Sequence, residues 1–262
     1  VMVFTAAPMV APLIGSMLVP LWGWRAPFFA TAISGLLILY GIRKSLRETR
    51  TPRQQPHFLR QLWESAREFL SHRRSVFGVT IIMVTIVGVM ALISGSSALI
   101  IEVYGFQVMN FGFLFALTGV AILIGSAINR RLLQRFSAIH MIGIGAVIAA
   151  VAGLQLLWMA WLGDAPFWWI WSNACLFMGA TGMLFPNATA IALDPVPEIA
   201  GVASSIMGTI QSLSGAASAI ICSALYTGTI MNIAVVLGAS GVSALLACLM
   251  FQPISDRDRI SI

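Results

Sequence analysis

Charge is scarce in this chain: of 262 residues only 9% are Asp, Glu, Lys or Arg, against 59% hydrophobic. A soluble domain carries about a quarter of its positions as charges, so there is too little polar surface here to coat one. With a mean hydropathy of +0.92 the solvent is lipid. Cytosolic enzymes and nucleic-acid-binding proteins are excluded on that ground. Paired cysteines are lacking as well. Cys175, Cys222 and Cys248 are odd in number and sit in apolar stretches, without the spacing of a disulfide framework or a zinc site, so they read as small core residues. No metal ligands or cofactor-binding residues are expected. The middles of the long apolar runs also hold no Asp, Glu, Lys, Arg or His, which leaves no midplane group to titrate.

What is present is a series of runs near the roughly 20 residues a helix needs to cross the hydrocarbon. Eight are found, at about 2–21, 26–42, 76–100, 109–128, 137–162, 166–192, 199–225 and 229–251. Stretches such as Ala146-Val147-Ile148-Ala149-Ala150-Val151 lack the alternation of a membrane strand, so an all-α bundle is predicted. Eight spans put fourteen of the fifteen Lys and Arg on one face: nine between 43 and 75, three after the fourth span (Arg130, Arg131, Arg135) and two in the tail. Only Arg25 falls opposite, on the side of Glu102 and Asp164. By the positive-inside rule the basic face is cytoplasmic.

Within the basic loop, Phe58, Leu59, Leu62, Trp63, Ala66, Phe69 and Leu70 recur at helical spacing opposite Arg60, Glu64, Arg67 and Glu68. This predicts a helix lying on the inner leaflet, its Arg-rich flanks drawn to anionic head groups. A solvated linker is the other reading, and it suits Arg47 to Gln55 best, since Pro52 and Pro56 break helices there. The loop divides the spans two and six: 1–42 holds two helices, 43–75 the loop, 76–252 six helices and 253–262 a tail.

Six spans, a long basic loop and six more is the layout of major facilitator transporters, and the motifs point the same way. Ala7-Pro8-Met9-Val10-Ala11-Pro12-Leu13-Ile14-Gly15-Ser16 resembles the Gly-Pro-x-x-Gly-Gly signature in the fifth helix of proton-coupled drug antiporters. It departs from that signature at Ala11 and Ser16, both still small. Trp24-Arg25-Ala26-Pro27-Phe28-Phe29 is similar to the opening of their sixth helix. Glu102-Val103-Tyr104-Gly105, Asn129-Arg130-Arg131-Leu132 and Ala200-Gly201-Val202-Ala203-Ser204-Ser205-Ile206-Met207-Gly208 look like stretches of the Bcr/CflA multidrug-resistance subfamily. The resemblance implies the equivalent of helices 5–12 of twelve, in a bacterial inner membrane, with small amphipathic drugs exported in exchange for protons. It implies a missing N-terminal portion of about four spans that supplies the energising acid, so that these residues alone are expected to be inactive. A non-transporting remnant of such a protein is the alternative.

Pro8 and Pro12 remove backbone donors and bend the first span, while Gly15 and Ser16 admit a close neighbour; in the family this bend is thought to help seal the pathway. With Gly201 they form the predicted packing and gating set. Asn173, Asn187 and Gln211 are amides in the bilayer, which require either a partner helix or a watery pathway. Ser94 and Ser96 either line that pathway or bond back to their own helix. Met90, Phe115, Trp171 and Met207 either line an apolar drug pocket or face lipid and neighbouring helices. Arg130, Arg131 and Arg135 at the inner mouth either bridge acids and helix C-termini or simply anchor topology.

One enzyme reading competes. Gly238-Ala239-Ser240-Gly241 matches the Gly-x-Ser-Gly of rhomboid-like intramembrane proteases, which need a histidine base. His140 lies roughly 10 Å shallower at about 1.5 Å per residue, and His57 and His72 are in the loop, so no enzyme is expected.

Overall fold

The computed structural model describes residues 2–45, 58–163 and 166–251, side chains of 2–10, 58, 59 and 109 excepted. The expected linker at Arg47 to Gln55, Asp164 and the tail with Arg257 and Arg259 lie outside the described residues, as does the side chain of Pro8. Among those described there is no strand. Nine α-helices follow one another: α1 Met2–Trp22, α2 Ala26–Ser45, α3 Phe58–Ser71, α4 Arg73–Ser97, α5 Val108–Leu132, α6 Ala138–Leu162, α7 Phe167–Leu193, α8 Ala200–Ala224 and α9 Met231–Phe251. Seven of them, α2 and α4 to α9, are long and apolar enough to cross a membrane, and α1 adds a shorter apolar stretch, Ala11–Trp22. The expected eight spans correspond to these, with α3 as the short surface helix between them.

Local chemistry sets the ends. Ser137 caps α6, its side chain accepting from the His140 amide. Gly163 closes the same helix at φ 89°, a left-handed conformation that side chains with a Cβ resist. Pro166 precedes α7, where its missing N–H costs nothing. At the far end of α4 the helix widens into a π segment, Ala98–Val103, in which the Tyr104 amide reaches back five residues to the Leu99 carbonyl at 3.1 Å.

α4 is the hub, packed on α7, α8 and α9, while α6 seals against α7 and α9 and α5 against α7. Apolar burial drives little association inside lipid, so helices meet where small residues let backbones touch. A Cβ added at Gly241 would stand 2.5 Å from the Ala149 carbonyl oxygen, and one at Gly153 would stand 2.7 Å from that of Leu237, which defines the α6–α9 seam. Gly125 lies against the Gly179 backbone and Gly182 against the Ile122 carbonyl at 2.5 Å, fastening α5 to α7. Gly88 of α4 leaves room for the Phe177 ring and the Ser240 hydroxyl. Outside this unit, α1 leans on α5, and α2 touches chiefly α1 and buries none of its residues. α3 docks on α4 and α8 through buried Phe69, with Trp63 and Leu70 exposed.

Candidate substrate pathway

Polar side chains inside the unit mostly tie helix to helix. Asn187 of α7 donates through Nδ2 to Asn129 Oδ1 of α5 at 2.7 Å and to its own Met183 carbonyl at 2.7 Å, with both asparagines buried. Ser75 donates to the Ala192 carbonyl (2.8 Å), Ser126 to that of Gly182 (3.3 Å) and Ser218 to that of Val87 (2.5 Å). Asn232 donates across to the Cys222 carbonyl at 3.0 Å. Ser240 donates to the Val84 carbonyl at 2.6 Å and is buried. That bond, together with the pairing of His140 with Ser137 at 2.7 Å, makes Ser240 a packing residue rather than a nucleophile.

The pathway residues expected from the sequence separate into two groups. Trp171 donates from Nε1 to the Leu114 carbonyl at 2.9 Å and stacks on Phe167, with Phe115 and Met207 buried in the same apolar core. Asn173 is buried and bonds back to the Trp169 carbonyl at 3.0 Å. Ser96 bonds back to the Ile93 carbonyl at 3.1 Å. With Asn187 these sit inside the six-helix unit. Met90, Ser94 and Gln211 stand instead toward the surface of α4 and α8: Met90 is half-buried under Gly215, one helical turn from half-buried Gln211, and Ser94 is exposed. Gln211 makes no hydrogen bond among the described residues.

That same side of α8 carries a polar stripe of exposed Ser204, Ser205, Thr209 and Ser212. Ser205, Thr209 and Ser212 each donate to the carbonyl four residues earlier, so the stripe needs no water to be satisfied. Gly201 and Gly208 flank it with nothing within 4 Å of an added Cβ.

On α1 the close approach falls on Ser16. Buried Ser16 and the Pro12 carbonyl meet Gly112 of α5, where an added Cβ would stand 3.0 Å from that carbonyl and nearer still to Ser16. Gly15 has nothing within 4 Å of an added Cβ. The sequence had no means of choosing between these two adjacent small residues.

The ends carry the remaining polar contacts. Arg130, Arg131 and Arg135 are exposed at the α5–α6 turn, and neither ion pair among the described residues includes them. The pair at that end is Arg74 with Asp194, 2.8 Å apart, joining the start of α4 to the end of α7. It was missed because both residues read as loop charges. At the opposite end Tyr226 donates to Glu102 at 2.9 Å, and this bond, more than burial or the carboxylate's charge, raises the Tyr226 pKa. Among the described residues no group of three His, Cys, Asp or Glu is placed to hold a metal.

Against known families, residues 1–219 match the model described as Major Facilitator Superfamily. A bicyclomycin resistance protein homolog from Haemophilus influenzae is 28% identical over 94% of this chain and 62% of its own length. Multidrug resistance protein D of Escherichia coli is 30% identical over 79% of this chain and 51% of its own. Multidrug resistance protein MdtL of Salmonella heidelberg is 26% identical over 91% and 59%. The chain thus spans between 51% and 62% of the length of these relatives.

Proposed function

The chain belongs to the major facilitator superfamily, a family of membrane transporters and not of enzymes, and from that premise we propose that it forms part of a bacterial inner-membrane exporter of small amphipathic drugs driven by proton antiport. The observation that carries this reading is the polar side of α4 and α8: Ser94, Gln211 and the α8 hydroxyl stripe face away from the six-helix unit, whose own polar groups are already paired. A hydroxylated surface turned toward lipid gives nothing back, whereas one turned toward a second helical unit lines the cleft between the two. The resistance proteins among the relatives support drugs as the cargo.

The proton site belongs to helices beyond these residues, since no span here has an acid at its middle. Gln211 and Ser94 then contact cargo, and buried Asn173, Asn187, Phe115, Trp171 and Met207 shape the wall behind them. Proteoliposomes with an imposed pH gradient test this: the 262 residues alone give no drug uptake, and the same residues joined to a four-span N-terminal portion of a relative do. Proton-driven flux from the chain alone overturns the assignment of the proton site. Unchanged transport in the joined protein after Gln211→Leu overturns the placement of the pathway.

A further inference from the structure

A cavity of about 680 Å³ opens between α4, α6 and α9 at the arginine-bearing end, away from the α4–α8 side. Phe77 and Ile191 line it from α4 and α7, with Gly143 and Val147 from α6 and Leu249 from α9. Its position is that of a groove open to the outside of the bundle, because Ile144, Val147 and Leu249 are 37%, 48% and 53% exposed. Arg74 and His140 border it, and the guanidinium of Arg73 lies 5.6 Å above the ring of Phe251, another lining residue. Asp194 is engaged by Arg74, which leaves the Arg73 charge without a counter-ion among the described residues.

We propose that this groove holds one anionic phospholipid of the leaflet on the arginine side, its phosphate between Arg73, Arg74 and His140 and an acyl chain along Val147 and Leu249. Each part of the site excludes a simpler occupant. A free anion gains nothing from aliphatic walls, and a neutral hydrocarbon gains nothing from arginines beside its entrance. The backbone of Gly143 makes the room, since a Cβ built there meets nothing within 4 Å. The site is independent of what the protein transports and of whether the chain transports alone.

Native mass spectrometry of the detergent-solubilised full chain, with added dioleoyl-phosphatidylglycerol or dioleoyl-phosphatidylcholine, tests this directly. The expected result is one tightly retained lipid, with the anionic lipid held about tenfold more strongly. Gly143→Leu, which fills the groove, abolishes that retained lipid while the lipid-free melting temperature holds. Arg73→Gln erases the preference but still retains lipid. Equal retention of the two lipids by the wild-type chain overturns the proposal by itself, whatever the variants do. Displacement by inorganic phosphate at equal concentration also overturns it, because the acyl chain then contributes nothing.

Discussion

Asn129 and Asn187 each hold an amide where no water reaches, and each is satisfied by the other. Replacing one strands its partner, so Asn129→Leu should cost about 1–3 kcal/mol of stability. The double variant with Asn187→Leu should recover part of that, since no orphan amide then remains. Reversible unfolding in mixed micelles measures both, and additive losses would sink the pairing. Adjacent small residues diverge in the same way: Gly15→Leu enters open space and should leave α1 seated, whereas Gly112→Leu drives into Ser16 and should lift α1 from α5. A bifunctional cross-link between cysteines placed on α1 and α5 reads the difference. That an amide in a span demands a partner is legible from residue type alone. Which amide supplies it was not, because Asn129 borders Arg130 and Arg131 and reads as the start of a loop.

Among the elements, all eight long helices could be read from apolar runs of membrane length bounded by charge, Gly or Pro. Their rotational setting could not. In a soluble helix the contrast between wet and buried faces reveals the phase, but a bilayer and a protein interior are both apolar, so that contrast vanishes. Only α3 shows its orientation in sequence, because one of its faces meets water. This is why Phe115 and Trp171, which could equally have lined a cavity, prove to lie in the core. The α6–α9 seam gives the sharpest element-scale prediction: Gly241→Val pushes methyl groups into the Ala149 carbonyl and should cost about 1–3 kcal/mol, read as a lowered melting temperature. Between α4 and α8, the bond to Glu102 keeps Tyr226 protonated above its ordinary pKa of 10.0. The contact is therefore fully present below pH 10.0 and lost as pH rises through the raised value. Glu102→Ala should return one tyrosine midpoint toward 10.0 in an alkaline absorbance titration.

Taken whole, the bundle has two chemically distinct ends, and two long-range pairs fix which helix terminus belongs to which. Arg74 with Asp194 marks one, and Glu102 with Tyr226 the other. Every described Lys and Arg except Arg25 stands at the first end. In sealed, oriented membranes an impermeant maleimide should therefore label Arg131→Cys from one side only and Glu102→Cys only from the other; labelling of both from the same side would refute the arrangement.

The widened turn at the end of α4 has a further consequence. A π segment is an ordinary helix that has accommodated a surplus residue. Removing one position between 98 and 101 lets the backbone relax to regular winding and swings everything beyond it by about 100°. Glu102 then loses sight of Tyr226, and the outer clasp opens without either of its members being altered.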